Sequence, residues 1–191
     1  MNQSNKIHSL NIKETKLENL DKDLREYFEV CNEKIGFVPN VLRSYSWNTK
    51  KLRAFIEFYN QVMLGDSKLS KLEKEMIATV VSSANRCHYC QVAHSSAVRH
   101  YSPDKHLADL LIIDYRGAKL SDRHKAMLDF SWKLTENSRS IEEDRQELRN
   151  KGFTDEEIWD ICEVVGFFNM TNRLASGISM IPNTEYHEIH R

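Results

Sequence analysis

The chain has 191 residues, with 27 lysines and arginines against 28 aspartates and glutamates, and a formal net charge of −1. The basic residues are scattered among acidic ones, so no basic stripe predicts binding to nucleic acid or to an anionic membrane. No stretch approaches the roughly 18 apolar residues of a membrane helix, and the first 20 residues lack the apolar core of a signal peptide. These features predict a cytoplasmic protein that interacts with small molecules or other proteins.

Helix signals follow one another along the chain. Apolar residues recur at helical spacing from Leu52 to Leu64. Ser70 with Glu73, and Thr154 with Glu157, form capping boxes that predict the starts of two further helices. The sequence has no sustained alternation of apolar and polar residues, and it lacks the Asn-Gly and Asp-Gly pairs of tight hairpins. The predicted fold class is therefore all-α.

Two further patterns concern the organisation of the chain. Ser102-Pro103-Asp104 predicts another helix start, because proline is favoured at the first helical position. Lys68–Ile77 and Lys119–Leu128 share five of their ten residues at an offset of 51, which predicts an internal duplication. The predicted units are an N-terminal arm and helix (1–35), an all-α domain (36–181) with repeats at about 68–101 and 119–178, and a C-terminal tail (182–191).

The stretch from Asn85 to His100 carries most of the chemically active residues. If it is helical from Cys87 onward, the spacings i, i+3 and i+7 place Cys87, Cys90 and His94 within a sector of roughly 60°. Glu75 stands twelve residues before Cys87 in an amphipathic run, so it can reach the same site from an antiparallel neighbouring helix. The pattern predicts a dithiol with its own acid and base groups.

Thiol chemistry needs these residue types. The thiolate is the nucleophile, and His94, four residues after Cys90 on the same helix face, can take the proton of that thiol. Glu75 can orient His94 or relay its proton. Cys90 that attacks the terminal oxygen of a hydroperoxide becomes a sulfenic acid, and Cys87 one turn away can condense with it to a disulfide. An external dithiol reductant, either a protein or a small molecule, must then reopen that disulfide.

Other interpretations of the two cysteines stay open on the residues alone. Zinc needs four ligands, and Cys87, Cys90, His94 and His100 supply the right types. On a continuous helix, however, His100 points about 120° away from the other three. The cysteines can also be two inert buried side chains. A non-catalytic zinc-binding or thiol-sensing interaction module is therefore the alternative to a thiol enzyme.

The spacing of four residues resembles the signature of the AhpD-like alkylhydroperoxidases in the carboxymuconolactone decarboxylase superfamily. Eleven residues separate Glu75 from Cys87, two separate Cys87 from Cys90, and three separate Cys90 from His94. GFVPNVLRSYSWN and FFNMTNRLASG are similar to the peroxidase-related subgroup, so the resemblance covers residues 36–178. It implies a duplicated helical fold, assembly into homo-oligomers such as trimers or hexamers, and reduction of hydroperoxides or disulfides without a cofactor or metal. By the family pattern Cys90 attacks the peroxide, Cys87 resolves the product, and His94 and Glu75 relay protons.

The chain departs from that pattern at one position. Mycobacterial-type alkylhydroperoxidases carry a histidine immediately before the second cysteine, whereas this chain has Tyr89 there and His88 one place earlier. A tyrosine can donate a hydrogen bond but is a poor base near neutral pH. Disulfide reduction depends less on this position than peroxide turnover does. Decarboxylation of a muconolactone is disfavoured, because those enzymes do not rely on a CxxC pair.

Overall fold

The computed structural model of the chain describes residues 6–137 and 139–190. These residues form helices joined by short connections, with no strand among them, so the all-α class is confirmed. None of the helices within these ranges is long and apolar enough to cross a membrane. The helices are α1 (Lys22–Ile35), α2 (Asn40–Tyr45), α3 (Thr49–Tyr59), α4 (Lys71–Ala84), α5 (His88–Tyr101), α6 (Leu107–Ile113), α7 (Asp122–Asn137), α8 (Glu142–Asn150) and α9 (Asp155–Gly177).

Helix α4 forms the centre of the fold. It packs against α5, α6, α7 and α9, and every side chain from Glu73 to Ser82 is buried. A helix enclosed on all sides must satisfy its polar groups internally. The hydroxyl of Thr79 donates to the Glu75 carbonyl at 2.8 Å, and that of Ser82 donates to the Ala78 carbonyl at 2.6 Å. This central helix gives Glu75 a fixed place inside the protein.

A tight turn connects α4 to α5. Arg86 adopts a left-handed conformation with φ of 52°, and Cys87 follows as an extended residue that caps α5. The side-chain amide of Asn85 donates to Asn169 at 3.1 Å and to Asn172 at 3.0 Å, which ties the turn to α9. The expectation that Cys87 is helical is therefore wrong, because the reversal at Arg86 delays the helix by one residue.

Two of the three predicted helix starts are present in the structure, and one is not. Both capping boxes are confirmed, since Ser70 with Glu73 opens α4 and Thr154 with Glu157 opens α9. The start at Ser102-Pro103-Asp104 is wrong. Ser102 still donates its backbone N–H to the Val98 carbonyl at 2.8 Å, as the last residue bonded to α5, and α6 begins only at Leu107.

The end of α3 changes pitch. The predicted helix over 52–64 continues beyond Tyr59 as a π-helical turn, Asn60–Leu64, before it stops at Gly65. A Cβ atom at Gly65 would lie 2.5 Å from the backbone oxygen of Gln61, so only glycine fits this stop. The hydroxyl of Tyr27 donates to the Asn60 side chain at 3.0 Å and joins α1 to the wide turn. Such turns often occur beside functional sites.

The helices α4 and α7 correspond to the two predicted repeats. They begin at Lys71 and Asp122, which are 51 residues apart and thus keep the offset of the sequence echo. The two helices also pack against each other. The duplication and the unit boundaries remain predictions.

The N-terminal arm and the C-terminal segment are joined to each other. Ser9 donates its backbone N–H to the Ile178 carbonyl at 2.8 Å, and Ile181 donates to the Ile7 carbonyl at 2.9 Å. The Asn183 side chain accepts the backbone N–H of Asn40 at 2.7 Å at the start of α2. These bonds bring the residues after 181 back to the domain, where they form part of the cavity described below.

We expect the chain to self-associate. Ile113 is 80% exposed, Trp159 71%, Leu64 56% and Phe58 44%. Large apolar side chains of this kind are stabilised when a second subunit removes them from water. Light scattering at micromolar concentration should give a multiple of the 22.4 kDa chain mass. A monomer mass would contradict this expectation.

Candidate active site

An apolar cavity of about 450 Å³ contains two of the predicted site residues, Cys90 and His94. Its wall combines side chains from α1, α2, α3, α5 and α9 with one from the C-terminal segment. A cavity of this volume and composition is typical of sites for small organic molecules. The apolar part of the wall includes Val30, Ile35, Val41, Leu42, Phe55, Phe167 and Phe168.

Glu75 and His94 form a buried pair behind the cavity. Glu75 Oε2 lies 2.7 Å from His94 Nδ1, and the two side chains are 10% and 13% exposed. The ring of His94 also meets that of Phe168 edge to face at 4.3 Å. A carboxylate on Nδ1 favours the tautomer that carries its proton there, which leaves Nε2 to accept another. The predicted approach of Glu75 from the neighbouring helix is thus present.

The two thiols of the CxxC pair are buried together at the start of α5. Cys87 is 1% exposed and Cys90 is 3% exposed. The pKa of Cys87 is lowered to about 6, chiefly by hydrogen bonding from the Cys90 thiol, with help from the backbone N–H of Cys90, Ser176 and the charge of His94. Burial acts in the opposite direction. Thiols at helix N-termini commonly ionise in this way.

The pKa of Cys90 changes in the opposite direction. It is raised, first by the hydrogen bond to Cys87, then by burial and by the charge on Cys87, while the side chain of Asn172 opposes these effects. The two thiols therefore titrate as a unit, and ionisation of Cys87 is favoured over ionisation of Cys90.

The two thiols face different spaces. Cys90 lines the apolar cavity, whereas Cys87 borders a second cavity of about 440 Å³ on its other side. Arg86, Ser176 and Met180 contribute to this second cavity. A disulfide between the two thiols would thus be reachable from two directions.

Zinc ligands do not gather around the thiols. In the parts of the chain that the structure describes, no group of three or more histidine, cysteine, aspartate or glutamate side chains is arranged to hold a metal ion. His100, the fourth member of the predicted zinc set, instead packs its ring 4.4 Å from that of His190 and 4.7 Å from that of Tyr101.

Two cavity residues, Tyr59 and Tyr186, were not predicted from the sequence. The amide of Asn172 hydrogen-bonds to Cys90 and donates to Ser82 at 3.1 Å. Asn172 belongs to the FFNMTNRLASG segment, so the resemblance was a usable signal for it. No local pattern marks Tyr186, which follows Cys90 by 96 positions.

Comparisons with known proteins agree with this arrangement. Residues 51–106, which include Glu75, Cys87, Cys90 and His94, match the model of the carboxymuconolactone decarboxylase family. The structure of an uncharacterized peroxidase-related protein from Silicibacter sp. TM1040 is 50% identical, covers 100% of both chains and has a TM-score of 0.94. An "alkylhydroperoxidase AhpD core" structure from Ralstonia eutropha JMP134 is 37% identical over 97% of both chains, with a TM-score of 0.92. The chain belongs to the AhpD-like branch of the carboxymuconolactone decarboxylase superfamily.

More distant AhpD-like folds are also similar. The debrominase Bmp8 is 16% identical over 93% of this chain and 94% of its own, with a TM-score of 0.80, so it shares the fold alone. No curated protein matches the chain. The AhpD-like assignment therefore rests on the family model and on structures whose names are peroxidase-related.

Proposed function

We propose that this AhpD-like protein is a cytoplasmic, thiol-dependent oxidoreductase that reduces organic hydroperoxides through Cys90 and Cys87. One observation carries the proposal: Cys90 and His94 line the same apolar cavity, and Glu75 holds His94 from behind at 2.7 Å. A nucleophile, a base and a group that orients the base are thereby assembled. The peroxidase-related names of the relatives support the same reaction class.

The proposed reaction needs only the residues of this site, the hydroperoxide and one external reductant to balance its atoms and electrons. The Cys90 thiol gives its proton to Nε2 of His94 and attacks the terminal oxygen of the hydroperoxide; the O–O bond breaks and an alcohol leaves. Cys90 is then a sulfenic acid. The thiolate of Cys87 attacks its sulfur, hydroxide leaves as water with a proton, and a disulfide forms. A dithiol reductant restores both thiols and is itself oxidised to a disulfide.

The two cavities support a division of labour between the thiols. The apolar wall around Cys90 suits the carbon group of an organic hydroperoxide, because burial of apolar surface favours binding. The separate cavity at Cys87 gives the reductant a route to the other sulfur of the disulfide. Attack on Cys87 would release Cys90 first, on the substrate side.

A thiol count tests the proposal. Fully reduced protein treated with one equivalent of cumene hydroperoxide should lose two thiols and release one equivalent of cumyl alcohol. Cys162 is half-buried and remote from the cavity, so Cys162→Ser serves as a matched control that retains this stoichiometry. No thiol loss, or loss from Cys31 and Cys162 instead, would contradict the assignment.

Reduction of small disulfides is a second candidate function. The observation that favours it is Cys87 itself, whose pKa of about 6 makes it a thiolate at neutral pH beside its own cavity. A thiolate attacks disulfides directly. Cys87→Ser should abolish disulfide reduction while Cys90 still reacts once with a hydroperoxide. If Cys87→Ser reduces disulfides as fast as the wild type, this candidate is wrong.

A further inference from the structure

The leaving oxygen of a hydroperoxide needs a proton when the O–O bond breaks, and His94 is already engaged in taking the proton of Cys90. We propose that the hydroxyl of Tyr89 donates this proton, held in position by Tyr186. The inference rests on the proposed peroxide reduction. It assigns a role to the position at which this chain departs from the mycobacterial-type pattern: the histidine is replaced by an acid.

The position and the hydrogen bonds of Tyr89 suit a residue that donates its phenol proton to a bound substrate. It precedes Cys90, is 5% exposed, and lines the same cavity as Cys90 and His94. Its oxygen accepts the backbone N–H of Val41 at 3.0 Å. Because a backbone N–H can only donate, this bond occupies a lone pair of the phenol oxygen and leaves the phenol proton available to another acceptor.

Burial keeps that proton on the phenol at working pH. The pKa of Tyr89 is raised, mainly by burial, and the negative charge of the neighbouring thiol pair raises it further. A phenol with a raised pKa remains protonated near neutral pH and can donate to a stronger base. An alkoxide formed at the O–O bond is such a base, whereas the carboxylate released from a peracid is not.

Tyr186 positions Tyr89 from the C-terminal segment. The two hydroxyls are hydrogen-bonded, and the ring of Tyr186 packs edge to face on Phe37 at 4.8 Å. Its backbone carbonyl accepts from Arg99 at 3.0 Å, which fixes this segment to α5. Burial raises the pKa of Tyr186, and the charges of neighbouring groups, Glu75 among them, raise it further. Its hydroxyl therefore stays protonated near neutral pH and can hydrogen-bond to Tyr89.

The proton balance closes on the chain's own groups. Cys90 loses one proton to His94, and the alkoxide gains one from Tyr89. The tyrosinate left behind is reprotonated in the same turnover by the proton that His94 took from Cys90. The sum is one thiol and one hydroperoxide converted to one sulfenic acid and one alcohol.

Two oxidants that differ in their leaving groups test the inference. Stopped-flow rates of Cys90 oxidation would be measured with tert-butyl hydroperoxide and with peracetic acid, for wild type, Tyr89→Phe and Tyr186→Phe. Tyr89→Phe should react about 10²-fold more slowly with the hydroperoxide, the range expected for loss of a general acid, and within about threefold of wild type with the peracid. Tyr186→Phe should show the same selectivity with a smaller loss.

Tyr115→Phe is the matched control, since it removes a buried hydroxyl that donates to Asp129 at 2.7 Å outside this cavity. Both rates should be unchanged in that variant. Equal losses with both oxidants, or no loss, would overturn the inference; if Tyr89→Phe does not fold, Tyr186→Phe decides. Wild-type protein that reacts with neither oxidant would instead contradict the proposed function.

Discussion

Cys90→Ser should eliminate peroxide-driven oxidation of the protein, with the turnover rate lowered at least about 10³-fold, as expected when a catalytic nucleophile is removed. Serine keeps nearly the same volume, so the burial of this position and the packing of α5 should be retained. The expected loss is therefore chemical, and the circular dichroism spectrum should stay that of the wild type. Turnover would be measured as alcohol formed from cumene hydroperoxide with a dithiol reductant in excess.

The other cysteines provide the comparison. Cys31 lines the same cavity as Cys90 from α1, but the sequence places no second cysteine three residues away to resolve a sulfenic acid there. Cys31→Ser should therefore retain most of the turnover. Turnover that survives in Cys90→Ser but disappears in Cys31→Ser would identify Cys31 on α1 as the nucleophile and refute the proposed site.

Glu75→Gln should make the dithiol less reactive near neutral pH. The pKa of Cys87 is lowered to about 6, partly by the charge of His94, and the Glu75 carboxylate lies 2.7 Å from that ring. Without the carboxylate the pKa of Cys87 should rise, and iodoacetamide should alkylate Cys87 more slowly between pH 6 and 7. If the pKa rises from about 6 to about 7, the alkylation rate should fall about fivefold at pH 6 and about twofold at pH 7. The rates should converge near pH 10, where the thiol ionises in both proteins.

Glu73→Gln is a control on the same helix. Glu73 and Glu75 are both buried, but the Glu73 carboxylate binds Ser70 and Arg123. The alkylation profile of Glu73→Gln should follow the wild type. Mass spectrometry of the tryptic peptide 87–99 would locate the label on Cys87 or Cys90. Identical alkylation profiles for wild type and Glu75→Gln would show that Glu75 has only a structural role and does not affect the reactivity of the thiols.

Local sequence signals were sufficient for much of the fold. The capping boxes at Ser70 and Thr154 place the starts of α4 and α9 correctly, because the bonds that make a cap span only three residues. The proline signal at Pro103 was misleading. The N–H of Ser102 still bonds to Val98, so α5 extends up to the proline, and no short-range rule weighs that bond against a new helix start.

The positions of candidate site residues that are close in the sequence could be predicted, whereas contacts between distant segments could not. The steps from Glu75 to Cys87 and from Cys90 to His94 follow from helix geometry and one tight turn. The left-handed Arg86, by contrast, lies in a turn that Asn85 ties to the distant helix α9, and the turn places Cys87 at the cap of α5, where the thiol of Cys90, and then its backbone N–H, lower the pKa of Cys87. The cavity wall also comes from distant helices, which a pattern within one segment does not specify.

The proposed reaction oxidises the sulfur of Cys90. A sulfenic-acid trap followed by peptide mass spectrometry would be applied to Cys87→Ser and Cys90→Ser proteins treated with one equivalent of cumene hydroperoxide. We expect a trapped adduct on Cys90 in Cys87→Ser, because no resolving thiol remains, and no adduct in Cys90→Ser. An adduct on Cys87 in Cys90→Ser, with none on Cys90 in Cys87→Ser, would show that the peroxide oxidises Cys87 and that the assignment to Cys90 is wrong.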